Sequence, residues 1–143
     1  MIIKIRKQDL LKGTAVSDGW YGLEIRKSPE QPTKPKSGGD TLNFIYSFAI
    51  LDENGKVNEN LPELDHNFNT GALGMMRDFI AVAKGMTVKQ LLDSIAAEGL
   101  DFDPERDTPV GLKLQGKVVN ETFESRLISK IKAWLPYGVQ PPF

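Results

Sequence analysis

Along residues 42–50, Leu42, Phe44, Tyr46, Phe48 and Ile50 occupy every second position. A period of two sends all five side chains to one face of a β-strand. Asp52-Glu53-Asn54-Gly55-Lys56 then breaks the alternation with residues that tolerate turn backbone. The pattern returns with Leu64, His66 and Phe68 set against Glu63, Asp65, Asn67 and Asn69. Residues 40–69 therefore predict a hairpin, the central pair of a sheet.

An earlier segment, residues 20–27, places Tyr21, Leu23 and Ile25 on one face and Trp20, Glu24 and Arg26 on the other, with Gly22 allowing a sharp bend. Before it, Ile3 and Ile5 alternate with Lys4 and Arg6 and predict a short initial strand. After residue 109, Val110, Leu112 and Leu114 alternate with Gly111, Lys113 and Gln115, and the pattern resumes after Gly116 through Lys117, Val118 and Val119. Residues 120–125 close a second hairpin. Its last strand sets Leu127, Ser129, Ile131, Ala133 and Leu135 against Arg126, Ile128, Lys130, Lys132 and Trp134. Lys113, Lys117, Arg126, Lys130 and Lys132 then share one outer surface, which reads either as a basic patch or as the routine solvated face of an antiparallel sheet.

Between the two hairpins the period changes from two to that of a helix. Asn69 or Thr70 is placed to cap a helix whose face carries Leu73, Met76, Ile80 and Ala83, with Phe79 on its edge and Gly85 at its end. Thr87-Val88-Lys89-Gln90 matches a capping box, and Val88, Leu91, Leu92 and Ile95 supply the stripe of a second helix that Gly99 stops. Residues 28–39 hold three prolines, two glycines, Lys34 and Lys36, and predict an exposed, mobile loop, either a linker or a basic flap beside a groove. The predicted fold is mainly β with α: five strands with one or two helices inserted between the third and fourth, the order of an oligonucleotide-binding (OB) barrel.

Composition changes this picture in two places. Eighteen Lys and Arg face nineteen Asp and Glu, a net charge of −1, yet residues 1–36 carry +4, residues 37–109 carry −8 and residues 110–143 carry +3. Basic ends that pair in one sheet make a basic face, so the overall neutrality does not exclude a polyanion partner. The 143 residues contain no cysteine, which removes disulfides and thiolate metal sites. No leader and no membrane-spanning segment is read in the chain, and a cytoplasmic location is expected.

The chemistry of a reactive site is sparse. The single histidine, His66, has Asp65 on the opposite face of its strand, and no phosphate loop or ligand cluster is spaced for catalysis, so no enzyme activity and no cofactor are expected. Counted from Asp101, the glycine and glutamate that a calcium loop needs at its sixth and twelfth positions are Arg106 and Leu112. Aromatics on the strands are a different matter. Trp20, Tyr46, His66, Phe68, Trp134 and Tyr137 are candidate stacking surfaces, with Phe68 and Tyr46 also on the core-facing side and Trp20 foremost because it opposes the apolar face of its strand.

Leu11-Lys12-Gly13, Gly19-Trp20-Tyr21 with Ile25, a Lys/Ser/Gly loop ending in Gly39-Asp40, the aromatic strand, Phe68-Asn69, Gly71-Ala72-Leu73-Gly74, Phe102-Asp103 and Leu114-Gln115-Gly116-Lys117 together resemble the small OB-fold single-stranded-DNA-binding proteins encoded by bacteriophages. The likeness spans most of residues 10–136 and is one of spacing and residue type. It departs at residues 121–126, where only the aromatic Phe123 and Arg126 match a turn common in such proteins. It departs again at the C-terminus, where no acidic residue follows Glu124.

The resemblance implies sequence-tolerant binding of single-stranded DNA in phage replication, recombination or repair. Trp20, Arg26, Lys34, Lys36, Tyr46, His66, Lys113, Lys117, Arg126, Lys130, Lys132 and Trp134 are the candidate contacts. Residues 1–136 are expected to form the domain with its N-terminal arm. Residues 137–143 form a flexible tail whose Phe143 is a candidate anchor for replication or recombination proteins or for a second subunit. The alternative is an OB-fold module that binds protein and not nucleic acid.

Overall fold

The computed structural model describes residues 1–29 and 41–142. A short helix, α1 (Lys7–Leu11), precedes five strands: β1 (Gly19–Lys27), β2 (Asn43–Ile50), β3 (Leu64–Asn69), β4 (Lys113–Phe123) and β5 (Arg126–Pro136). They form one antiparallel sheet in the order β3-β2-β1-β4-β5. The central strand is therefore β1, and the hairpin of residues 40–69 forms one flank. The sheet is open: no ladder joins β3 to β5 among the described residues, but His66 and Phe68 of β3 pack their rings against Trp134 of β5. Between β3 and β4 run a 3-10 helix (Thr70–Met75), α2 (Arg77–Ala83), α3 (Val88–Glu98) and the single turn α4 (Pro104–Asp107). Among the described residues no helix is long and apolar enough to cross a membrane.

The period-two faces meet across the ladders. Leu23 lies between Ile50 and Leu114, Ile25 lies opposite Phe48, and all five side chains are buried. Over this layer sits a cluster of rings. Phe79 of α2 reaches Tyr46, Phe68 and Trp134 at centroid distances of 5.0, 4.8 and 4.7 Å, and Trp134 lies 5.4 Å from Phe48. Phe79 is thus the centre of the helix contact and not its edge. The physical reason is the 3-10 segment, which turns about 20° more per residue than an α-helix and so rotates the buried face of α2.

Two bulges alter the strand faces that simple alternation predicts. In β1, Ile25 and Lys27 pair with the consecutive residues Phe48 and Ser47, so Arg26 is the extra residue and Lys27 takes the outward place. In β5, Ala133 and Ile131 pair with Lys117 and Val118, so Lys132 is the extra residue. Ile131 and Trp134 consequently both point inward, Trp134 being only 7% exposed, while Ala133 and Leu135 point outward.

The helical insert follows its caps. Thr87 Oγ1 accepts from the Gln90 amide (3.1 Å) and Gln90 Oε1 from the Thr87 amide (2.9 Å), the predicted capping box. Of the predicted α3 stripe Leu91 is buried, whereas Leu92 and Ile95 are exposed. The acidic connector is a capped turn: Asp103 accepts from the Glu105 amide and Asp107 from the Asp103 amide. Hydrogen bonds from Arg106 and the Asp103 amide, with Lys84 3.5 Å away, hold the Asp107 carboxyl well below the usual carboxylate range.

Three expectations fail at the ends and loops. Residues 1–6 form no strand, because they find no strand to pair with among the described residues. The loop of residues 28–39 begins buried and not exposed, with Ser28 Oγ donating to the Pro104 carbonyl (3.1 Å); residues 30–40, Lys34 and Lys36 among them, lie outside the described residues. The tail is tied as far as Val139, since Gln115 Nε2 donates to the carbonyls of Pro136 (2.8 Å) and Val139 (2.7 Å). Phe143 lies outside the described residues. Gly22, read as a bend, has another use: a Cβ there would stand 3.3 Å from the Tyr137 ring and 3.4 Å from Leu51, so the missing side chain makes room for Tyr137.

Gly116 faces the core, and a Cβ there would come within 2.7 Å of Leu23 Cδ1 and 2.8 Å of Ile131 Cγ2. Gly116→Ala is expected to cost about 1–3 kcal/mol by overpacking, lowering the urea midpoint and Tm. Gly74→Ala, which meets nothing within 4 Å, should leave both unchanged or slightly raised. Parallel melts of the two variants check this.

Candidate nucleic-acid interface

The outer face of β1, β4 and β5 carries the exposed cations. Trp20 pairs with Lys117 across the β1–β4 ladder, and its side chain is half-buried on the face opposite Leu23 and Ile25. Tyr21 packs the other way, against the core, and donates its hydroxyl to the Ser17 carbonyl (2.6 Å). Further along, Lys130 lies opposite Val119 and Arg126 opposite Phe123. From Lys117 to Phe123 the strand rises roughly 20 Å. The face thus has an aromatic ring at each end and cations between. Lys117, Lys130 and Arg126 form no ion pair among the described residues.

Phe123 escaped the sequence reading because it sits beside a turn, where alternation stops being informative. Phe123-Glu124-Ser125-Arg126 turns with positive φ at both Glu124 (49°) and Ser125 (65°), the two-residue hairpin geometry usually given to glycine and asparagine. The turn keeps β4 and β5 in register to their ends and leaves Phe123 58% exposed.

Other predicted contacts are committed elsewhere. Tyr46 is fully buried, its hydroxyl donating to Thr108 Oγ1 (2.8 Å), which in turn donates to the Pro104 carbonyl (2.6 Å); burial pushes the phenol up to about 12. Trp134 is core because of the β5 bulge. Neither ring offers a face to a base. Lys113 Nζ donates to the Gly55 carbonyl (2.7 Å) and lies 5.8 Å from the Tyr137 ring centroid, Arg26 pairs with Glu24 at 3.1 Å, and Lys132 pairs with Glu121 at 2.6 Å. The Lys132 hydrogen bond lowers the Glu121 carboxyl.

His66 is neither a stacking platform nor a surface residue. Its ring is half-buried 4.4 Å from Phe68 and 5.4 Å from Trp134, at the seam between the two edge strands. Burial, then the nearby charges of Lys130 and Lys132, push its pKa down to about 4.

An open groove of about 1040 Å³ crosses the outer face of β2 and β3. Asn43, Ile45 and Ser47 line its floor, and its walls bring Arg6, Lys12 and Lys27 together with Asp9, Glu63, Asp65 and Glu105. Gln8 fixes α1 along this wall, its Nε2 donating to the Leu61 carbonyl (2.9 Å) and its Oε1 accepting from the Glu63 amide (3.1 Å). Among the described residues carboxylates outnumber the cations here, so the groove is the poorer of the two surfaces for a phosphate chain. Among the described residues, no group of three or more His, Asp or Glu is placed to hold a metal ion.

No family model matches the chain, and no curated protein matches it.

His66 supplies a pH prediction. Its unfolded-state pKa is near 6.5 and its folded value about 4, so between these values the unfolded chain binds a proton that the folded protein refuses. The stability that depends on this group is complete above about pH 6.5 and is lost as the pH falls towards 4. His66→Phe is expected to reduce the fall in Tm between those limits, measured in thermal melts across that range. An equal fall in both proteins would show that carboxylates alone set the acid limb.

Proposed function

We propose that this protein is an OB-fold-like single-stranded-DNA-binding protein that protects or organises DNA strands in phage replication, recombination or repair. The observation that carries the reading is the face on which Trp20 stands beside Lys117 and Phe123 beside Arg126, with Lys130 between. Exposed aromatic rings give bases a sequence-tolerant surface, each stacked base worth roughly 1–3 kcal/mol, and the cations follow the phosphates. The strand order supports the fold part of the proposal: β1 between β2 and β4 leaves β3 and β5 as the two edges, and the ring contacts of Trp134 with His66 and Phe68 across those edges are of the kind a partly open barrel needs.

Fluorescence anisotropy with oligo-dT at several salt concentrations tests the reading. The logarithm of affinity should fall linearly with the logarithm of salt, with a slope of about −2 to −3 if three or four phosphates are neutralised at about −0.7 each. Trp20→Ala and Phe123→Ala should each weaken binding by about 1–3 kcal/mol with the slope kept. Lys117→Ala with Lys130→Ala should flatten the slope, and Tyr21→Ala should lower Tm. Equal affinity for duplex and single strand would overturn the single-strand reading in favour of general polyanion binding, and no binding at micromolar protein in low salt would leave the protein-binding module as the better description.

A further inference from the structure

We infer that the N-terminal arm, residues 1–5, docks in the β2–β3 groove of a second copy of this chain, and that the two copies exchange arms. The arm is apolar and its side chains stand in water: Ile2, Ile3 and Ile5 are 92%, 71% and 63% exposed. Three large aliphatic side chains within four residues, left in water, mark a surface that is covered in the working state.

The isoleucines do not reach their own groove, which takes only Arg6 from residues 1–6. The Arg6 amide donates to Asp9 Oδ2 (2.9 Å), which sets the direction in which the chain leaves α1. Gln8 holds α1 to the Leu61 and Glu63 backbones, and Lys7 Nζ donates to Asn60 Oδ1. With α1 fixed in this way, the isoleucines of the arm stay exposed.

Charge selects the receptor. Arg6 already pairs with Asp9, so the rest of the groove sets Glu63, Asp65 and Glu105 against Lys12 and Lys27, around a floor where Ile45 is 46% exposed. The arm carries Lys4 between its isoleucines and no acid. In an extended arm Ile2 and Lys4 share one face and Ile3 and Ile5 the other, so Lys4 can meet the acidic wall while Ile3 and Ile5 cover Ile45. Five extended residues reach roughly 17 Å, comparable to the length of β3.

The arm also leaves from the same helix that lines the groove, since Gln8 and Asp9 are groove residues. Donor and receptor are therefore neighbours on one surface. A two-fold axis beside α1 lets each arm enter the other groove and closes the assembly at a dimer. Trp20, Lys117, Lys130 and Phe123 lie on other strands and take no part in this contact.

Sedimentation velocity on the full chain tests the inference. The wild type is expected to sediment as a dimer at about 10–100 μM, in the range where contacts of modest size associate. Ile3→Asp with Ile5→Asp should give a monomer of unchanged Tm, because both side chains are already in water. Asp65→Lys, an exposed groove residue, should weaken the dimer without touching the arm. Mixing the arm variant with an Ile45→Asp groove variant should form a heterodimer, since one intact arm then meets one intact groove, although neither variant pairs with itself. A monomeric wild type at these concentrations overturns the inference. So does a dimer that survives the arm substitutions, which would move the contact to another exposed apolar face such as Leu92 and Ile95 of α3.

Discussion

The packing of one ring, Phe79, against Tyr46, Phe68 and Trp134 decides how this molecule is assembled. The sheet has only one face to bury, and α2 covers it through this side chain. Because the partners of Phe79 come from β2, β3 and β5, the same contact draws the two sheet edges together. A ring of this size buries well over a hundred square ångströms and adds directional edge-to-face terms, so replacing its contacts with water would release the helix and the seam together. His66 stands half-buried at this seam, where burial and the charges of Lys130 and Lys132 push its pKa down to about 4.

The two bulges determine which side chains remain for function. Each inserts one basic residue, Arg26 or Lys132, into a strand, and each of these then finds a carboxylate beside it. Lys117, Lys130 and Arg126, which stay in regular register, have no such partner among the described residues. A bulge thus separates cations that stiffen the sheet from cations that a polyanion can use. It also turns Trp134 from an outward ring into the wall of the core.

Charge is divided between two surfaces in a way that total charge conceals. The β1–β4–β5 face is basic with aromatic ends, whereas carboxylates hold the majority around the groove over β2 and β3. Opposite fields on neighbouring surfaces suit different partners, and the two proposals assign a phosphate backbone to one and a basic segment to the other. The two proposed roles rest on that division and do not compete for the same side chains.

Much of the fold was legible in the sequence. The five strands stand in the predicted order with Phe48, Leu23 and Ile25 inward, and Thr87 and Gln90 form the predicted cap, because alternation and capping are local properties with strong chemical signals. The outward facing of Trp20 and of Lys117 needed only the parity of β1 and β4, whereas the pairing that sets one opposite the other came from the sheet. What the sequence could not determine depends on contacts between distant segments. The inward turn of Trp134, the burial of His66, the central place of Phe79 and the exposure of residues 1–6 all depend on a bulge, a 3-10 slip or a missing partner strand. Each changes a side chain's surroundings by one residue of register or a fraction of a turn, and period counting carries no information about such shifts. Only tertiary packing decides them, because the energy that selects the register comes from the rings and aliphatic side chains that meet across the sheet.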